Sequence, residues 1–224
     1  MNFHIVGASH AARLGKVLPR TTLPVDEDSN SQEALAISVS NLGKPGRRFR
    51  DLVWPDVSNV SEGDFLLVLP FGNDLQKNRA SFTNFPGRRF RFYHLESARY
   101  RPVSQEEYLE LIDGLIAKLN SYRCHKIVVT NFFRFINCRH CFNPGWLSLQ
   151  KKLNKILEQK LNELDSVFVI PHYEILEPQP SKKTACKNLK KYVAMQYDNV
   201  HFLSYTYLAE SVLRVSLGIQ RWSS

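Results

Sequence analysis

Five short runs of mostly apolar residues constrain the fold of this chain more than any other feature of its sequence. They are Phe3–Gly7, Ala34–Ser40, Asp64–Pro70, Lys126–Thr130 and Ser166–Pro171. Runs that are apolar continuously, rather than at every second position, are typical of strands covered on both faces, as in a parallel sheet. The sequence therefore predicts a parallel sheet of five strands.

Helical patterns fall between these strands. A capping box at Ser104 and Glu107, followed by an apolar stripe, predicts a helix over residues 104–121. A second stripe runs from Pro144 to about Leu164, and a third helix is predicted from Tyr205 through Val215. Strands that alternate with helical connections of this length predict a doubly wound α/β fold with helices on both faces of the sheet.

No segment of the sequence divides the chain into two domains, so we expect a single domain over residues 1–224. Residues 20–33 are polar and rich in turn formers, which predicts a surface loop. Residues 76–103 are rich in Arg, Asn and Pro, with a strand-like run only at 91–96. The sequence is consistent both with a free-standing protein and with a part of a longer one.

The N-terminus begins directly with a strand-like run and shows no pattern of a signal peptide. No stretch of 18 uncharged apolar residues occurs, which excludes a membrane-spanning helix on length. These features favour a cytoplasmic location, where the four cysteines, Cys124, Cys138, Cys141 and Cys186, are expected to be reduced.

The chain is basic, with 30 Lys and Arg against 21 Asp and Glu and a formal net charge of +9. Basic residues cluster at 47–50, 88–91, 151–152 and 182–191. For any single cluster a solvated surface is the simpler explanation. Together the clusters favour an anionic partner such as a nucleic acid, a phospholipid surface or an acidic substrate.

Polar residues that could carry chemistry follow the first three predicted strands. Ser9 follows the first strand, where a helix N-terminus would stabilise developing negative charge, although serine is also a common helix cap. The second strand leads into the glycine-containing segment 41–52. After the third strand, Asn73 can offer a side-chain N–H to an oxyanion, and Asp74 can hold the loop through its backbone.

A fourth motif, Asp198-x-x-His201, lies before the last predicted helix. Three residues of separation in a turn allow a carboxylate to orient one imidazole nitrogen while the other faces a nucleophile. This spacing is common by chance, and its value comes from its position as the last motif of the series.

Together, Gly7–Ser9, Gly46, Gly72–Asp74 and Asp198-x-x-His201 resemble the four sequence blocks of the SGNH (GDSL-like) hydrolases in the order of that family. The blocks extend over nearly the whole chain. The resemblance implies a flavodoxin-like sheet and a serine esterase. The family's usual Asp of the first block is Ala8 in this chain, which bears on the rate more than on the mechanism.

The resemblance also implies a role for each residue. Ser9 would be the nucleophile, His201 the general base and Asp198 the residue that orients it. Gly46 and Asn73 would complete an oxyanion hole with the Ser9 amide. This mechanism needs no metal and no organic cofactor. The family acts on esters that include lipids and acetylated carbohydrates, and the sequence does not choose among them.

A second hypothesis is a binding module on the same fold, with weak or no catalysis, that holds RNA or DNA through its basic surface. SGNH-like domains without their catalytic residues bind RNA in germ-plasm proteins. Esterase domains that resemble this basic type also occur in proteins encoded by animal retrotransposons. The presence of all the catalytic residue types favours the enzyme. In either case Arg47, Arg48, Arg88 and Arg89 are predicted to form a positive rim around the site.

A zinc site is the less favoured explanation of the cysteines. Cys138-x-x-Cys141 resembles half of a tetrahedral site, with Cys124 upstream, but a second pair at suitable spacing is missing. His172 follows the fifth strand, where site residues often lie, and a structural role is the simpler explanation for it.

Overall fold

A computed structural model describes residues 1–24, 32–33, 36–71, 74, 76–77, 101–102, 104–130, 144–171 and 205–223. Within these residues the four α-helices are α1 Ser9–Val17, α2 Gln105–Asn120, α3 Pro144–Asn162 and α4 Thr206–Ser223. The strands described are β1 Asn2–Gly7, β2 Leu23–Pro24, β3 Gln32–Glu33, β4 Ser38–Asn41, β5 Phe65–Leu69, β6 Gln76–Lys77, β7 Arg101–Pro102, β8 His125–Val129 and β9 Val167–Ile170.

Five of the strands form one parallel sheet in the order β4-β1-β5-β8-β9. Counted along the chain, this is the 2-1-3-4-5 order of flavodoxin-like folds. The predicted fold class is therefore confirmed. The other four strands form two short antiparallel pairs, β2 with β3 and β6 with β7.

Successive residues of each strand point to opposite faces of the sheet. Since both sets of side chains are apolar, helices cover both faces. On one face, α1 and α4 pack on a core that includes Ile5, Phe65, Leu67 and Ile127. On the other face, α2 and α3 pack on a second core, which includes Val6, Leu66, Val68 and Val128. The continuous apolar runs of the sequence reflect these two cores.

The edge strand β4 differs from the prediction. Residues 34–40 were expected to form a strand covered on both faces, but β4 is Ser38–Asn41, and the Ser38 and Ser40 side chains are exposed. The exposure follows from its position, because β4 is the edge strand of the sheet and pairs on one side only, with Asn2–Ile5 of β1. Residues 34 and 35 lie outside the described part of the chain.

Two further boundaries differ. The last helix extends beyond the predicted end at Val215 as far as Ser223, because Leu217 and Ile219 continue to pack on the core. The segment predicted as a surface loop, residues 20–33, contains the short pair β2–β3, since a two-residue strand leaves no periodicity in a sequence. The strand-like run at 91–96 lies outside the described residues.

The helix α2 begins as its capping box predicts. The Glu107 backbone N–H donates to Ser104 Oγ at 3.2 Å, and the Ser104 N–H donates to Glu107 Oε2 at 2.9 Å.

None of the described helices is both long enough and apolar enough to span a membrane.

The buried carboxylate of Asp64 ties the amino-terminal edge of the sheet together. It accepts hydrogen bonds from the Ser61 N–H at 2.8 Å and from Asn2 Nδ2 at 3.0 Å, and it lies 3.3 Å from His4 Nε2. Burial alone would raise the pKa of Asp64, but these hydrogen bonds outweigh it and hold the pKa below its usual value. The carboxylate is therefore stabilised in the fold as an anion.

The Asp64→Ala substitution should lower the free energy of unfolding by about 3 kcal/mol, because it removes a buried carboxylate and leaves its three partly buried hydrogen-bond partners without their acceptor. Urea denaturation followed by circular dichroism measures the loss. The exposed neighbour Glu62 provides the control, and Glu62→Ala should change the free energy by less than about 0.5 kcal/mol. Equal effects of the two substitutions would contradict the role of Asp64.

Candidate active site

The proposed nucleophile lies at the carboxyl-terminal edge of the sheet, where ligands bind in folds of this type. Ser9 is the first residue of α1 and is half-buried. Ala8 occupies the N-cap position, with φ −93° and ψ −141°, and no side chain caps the helix. Ser9 is therefore not the helix cap, which was the alternative explanation for a serine at this point.

Gly7 allows the chain to pass directly from β1 into α1. Its φ is +152°, and a Cβ on this residue would lie 2.7 Å from the Leu69 carbonyl oxygen and 2.7 Å from the Ala11 Cβ. Any other residue would force the helix and β5 apart. The glycine thus fixes the position from which α1, and Ser9 with it, begins.

The loop after β4 continues along the same edge and packs on the first turns of α1. The Lys44 N–H donates to the Gly7 carbonyl at 3.1 Å. Asn41 Nδ2 donates to the Ala12 carbonyl at 3.0 Å, and Asn41 Oδ1 accepts from the Gly43 N–H at 3.1 Å. A Cβ on Gly43 would lie 2.4 Å from the Ala12 nitrogen, so only glycine fits.

Sequence reasoning did not identify Asn41 and Gly43, although both lie in the segment 41–52 that it selected. It assigned a role only to Gly46. The signal that could have identified them is the spacing Asn41-x-Gly43-x-x-Gly46, in which a side-chain acceptor and a residue without a side chain precede the predicted oxyanion glycine.

Gly46 itself lies further out in this loop. It is exposed, has a φ of +78°, and has open space where a Cβ would be. Its conformation, rather than close packing, is what favours glycine here. The structure therefore brings Ser9 and the Gly46 loop to one edge of the sheet, with the glycine backbone open to solvent.

Asp74 connects the loop after β5 to the loop after β4. Its Oδ2 accepts a hydrogen bond from the Phe49 N–H at 2.8 Å, and its own N–H donates to the Phe71 carbonyl at 3.0 Å. The Phe49 ring packs on Phe71 with 5.2 Å between ring centroids. We expected Asp74 to hold its own loop through the backbone, and the structure adds a side-chain bond to the neighbouring loop.

Burial raises the pKa of Asp74 to about 6. The Phe49 N–H and the nearby guanidinium of Arg48 act in the opposite direction but do not compensate. Carboxyl groups whose pKa is raised by burial are often found in active sites.

A second polar contact joins α1 to the start of α4. His10, the residue after Ser9, places its Nδ1 2.7 Å from the Tyr205 hydroxyl, and both residues are buried. Sequence reasoning missed this pair. The two residues are 195 positions apart, and no local pattern relates them.

The other predicted residues lie outside the described part of the chain. These are Asn73, Asp198, His201, Arg88, Arg89, His172, Cys138, Cys141 and Cys186.

Cys124 is buried with a free thiol, and burial raises the pKa of that thiol. Among the described residues, no group of three His, Cys, Asp or Glu is placed to hold a metal ion.

Cations surround the Gly46 loop. Lys44, Arg47 and Arg50 are exposed and Arg48 is half-buried. Asp51, which lies 3.9 Å from Arg50, and the largely buried Asp74 are the acidic residues described within this region. The loop is therefore positive on its solvent side.

The described residues also line a cavity of about 460 Å³ at the other end of α1, between Lys16, Arg20, Thr206 and Glu210. Lys16 follows Ser9 by about two helical turns. Ser9 is not among the lining residues, so this cavity is separate from the candidate site.

The fold resembles that of solved hydrolases over nearly its whole length. A lipase/acylhydrolase from Enterococcus faecalis superposes with a TM-score of 0.56 and 14% sequence identity, over 97% of this chain and 95% of the other. A variant of the acetyl xylan esterase Axe2 from Geobacillus stearothermophilus gives a TM-score of 0.52 and 17% identity, over 96% and 93%. At such identities the likeness shows the fold. No protein-family model and no curated protein sequence matches the chain.

The Asp74→Asn substitution should make the stability of the fold less dependent on pH. Because the pKa of Asp74 is raised from 3.8 to about 6, the wild-type fold loses stability as the pH rises through this window. The loss amounts to about 3 kcal/mol when the carboxylate is fully ionised. The difference in unfolding free energy between Asp74→Asn and wild type should therefore rise by up to about this amount between pH 4 and pH 7.5.

Urea denaturation at the two pH values measures this change. Asp113→Asn, at an exposed position of α2, is the control and should show no such trend. A difference between Asp74→Asn and wild type that is the same at both pH values would contradict the assignment.

Proposed function

We propose that the protein is a serine ester hydrolase in which Ser9 attacks the carbonyl carbon of an ester. The observation that carries this proposal is the position of Ser9. It lies at the first position of α1, at the carboxyl-terminal edge of a parallel sheet, with another residue serving as the helix cap. The fold shared with a lipase/acylhydrolase and an acetyl xylan esterase supports the same reaction class.

In the proposed reaction, His201 accepts the Ser9 hydroxyl proton as the new bond to carbon forms, and Asp198 orients the imidazole and stabilises its charged form. The tetrahedral oxyanion receives hydrogen bonds from the Ser9 and Gly46 backbone and from the Asn73 side chain. The imidazolium then protonates the leaving alcohol. Water, activated by the same imidazole, hydrolyses the acyl-enzyme and regenerates Ser9.

The local structure supports this arrangement in two ways. The positive end of the α1 dipole favours negative charge beside Ser9. The hydrogen bond from Phe49 to Asp74 ties the Gly46 loop to the residue that follows Asn73. Two of the three proposed oxyanion donors are thereby connected through one buried carboxylate. Lipids and acetylated carbohydrates are the substrate classes that we propose, in line with the two hydrolases of similar fold.

Substitution of Ser9 tests the nucleophile. Ser9→Ala should reduce turnover of a short-chain aryl ester to background and abolish labelling by a fluorophosphonate, because both reactions need the hydroxyl. Peptide mapping of the labelled wild-type protein should identify Ser9. Ser211→Ala is the matched control, since that hydroxyl bonds only to a carbonyl of its own helix among described residues. Wild-type turnover in Ser9→Ala would place any esterase activity elsewhere.

Loss of the Asn73 side chain tests the oxyanion hole. Asn73→Ala should lower turnover on the order of a hundredfold or more with little change in KM, since the lost hydrogen bond strengthens only in the transition state. Steady-state kinetics on the same aryl ester measures the effect. An unchanged turnover number would remove Asn73 from the oxyanion hole.

A second candidate function is the binding of a polyanion, RNA or DNA or an anionic membrane surface, through the basic rim. The observation in its favour is the cluster of cations on the Gly46 loop, where Lys44 and Arg47 are exposed beside Gly46. Arg88 and Arg89 are proposed to extend this rim. Such binding is compatible with catalysis or can replace it, and Ser9 labelling separates the two cases.

Charge reversal tests the rim. Affinity for single-stranded RNA and for anionic vesicles should fall steeply across a salt series if the rim binds phosphates. Arg47→Glu with Arg48→Glu should weaken binding well beyond Lys151→Glu with Lys152→Glu, which changes the net charge equally. Adding Arg88→Glu and Arg89→Glu should weaken it further. Equal losses from the two matched pairs would attribute binding to net charge alone.

A further inference from the structure

We infer that the hydrogen bond between His10 and Tyr205 fixes the position of α1, and with it the Ser9 hydroxyl, against α4. This inference rests on the proposed esterase function. The pair joins the first turn of the helix that carries Ser9 to the start of the helix that follows His201. His10 and Tyr205 are positioning residues in this proposal, since they act through their neighbours rather than on the substrate.

The contact is short, buried and directional. His10 Nδ1 lies 2.7 Å from the Tyr205 hydroxyl, and the ring centroids are 5.9 Å apart with planes tilted by 51°. The His10 residue is 8% exposed and Tyr205 is 4% exposed, so bulk water does not compete effectively for the bond. Whichever tautomer His10 adopts, one of the two groups donates and the other accepts.

Both residues lie close in sequence to a proposed catalytic residue, and Tyr205 is four positions after His201. His10 directly follows Ser9 on α1. Tyr205 precedes α4, whose first turn begins with the Ala209 N–H donating to the Tyr205 carbonyl at 3.0 Å.

Packing between α1 and α4 does not need this pair. Ala11 and Leu14 of α1 share one apolar core with Leu208, Ala209 and Val212 of α4. Apolar contacts of this kind hold two helices together but are not directional. A hydrogen bond inside such an interface fixes one relative placement. A nucleophile and its base must be held to about 0.5 Å, and a misplacement of about 1 Å can lower the rate a hundredfold.

Tyr205→Phe tests the inference, because it removes the hydroxyl and keeps the ring. Turnover of the aryl ester and the rate of fluorophosphonate labelling at Ser9 should both fall by about ten- to a hundredfold. KM should change less than about threefold, because substrate binding is not altered. The urea midpoint should shift no more than in Tyr122→Phe, the matched control, which removes a tyrosine hydroxyl bonded at 2.7 Å to the Pro55 carbonyl on the other face of the sheet. Tyr122→Phe should keep wild-type turnover.

Two substitutions of His10 separate positioning from stability. His10→Asn retains a polar group close to the position of Nδ1 and should keep turnover within a few-fold of wild type. His10→Leu fills the buried site without a hydrogen bond, and should lose turnover as Tyr205→Phe does while the urea midpoint stays or rises. Adding Tyr205→Phe to His10→Leu should lower turnover by clearly less than the product of the two single effects, since both changes remove the same bond.

The outcomes distinguish this inference from the function on which it rests. An active wild type whose Tyr205→Phe and His10→Leu variants turn over like Tyr122→Phe would overturn the positioning role alone. Losses of turnover that only follow losses of stability, with no rescue by His10→Asn, would also overturn it. A wild-type protein that neither hydrolyses esters nor labels at Ser9 would overturn both proposals.

Discussion

The close approach of β1, β5 and α1 at Gly7 is the constraint on which the rest of the site depends. β1 is paired on both sides, so it cannot move to make room for a side chain at its end. With only 2.7 Å from a Gly7 Cβ to both the Leu69 carbonyl and the Ala11 Cβ, the chain can turn into α1 here only through glycine. The direction of α1, the position of Ser9 and the hydrogen bond from Lys44 to the Gly7 carbonyl all follow from this junction.

The sequence predicts local and periodic features, but it does not predict contacts between residues that are far apart in the chain. Phe65–Leu69 is buried at every position, and its continuous apolarity identified it as a central strand. The capping box at Ser104 is likewise local. The exposure of β4 follows from its place at the edge of the sheet, which the sequence does not show, and the β2–β3 pair is too short to leave a periodic pattern. The contact between His10 and Tyr205 depends on a fold that has to be known first, and the sequence offers only two residues 195 positions apart.

The glycines of the β4 loop illustrate the same difference at the site. Gly46 was predicted from the sequence because its place among the four motifs resembles the order of the sequence blocks in the SGNH hydrolases. The structure shows that Gly43 is the one that close packing requires, since a Cβ there would overlap the Ala12 backbone. Gly46 has open space around it and a left-handed conformation. The two glycines therefore differ in their roles, because Gly43 holds the loop against α1 while the backbone at Gly46 is exposed to solvent.

Two described features at this end of the sheet favour negative charge. The α1 N-terminus carries a partial positive charge and the Gly46 loop carries exposed cations, whereas the burial of Asp74 disfavours a carboxylate and raises its pKa. Such a field stabilises a tetrahedral oxyanion, and it equally attracts a phosphate group of a lipid or nucleic acid. The charge distribution is therefore consistent with both hypotheses, the esterase and the module that binds a polyanion. The serine hydroxyl at the first position of α1 separates the two hypotheses, because a binding surface needs no nucleophile and a serine esterase cannot act without one.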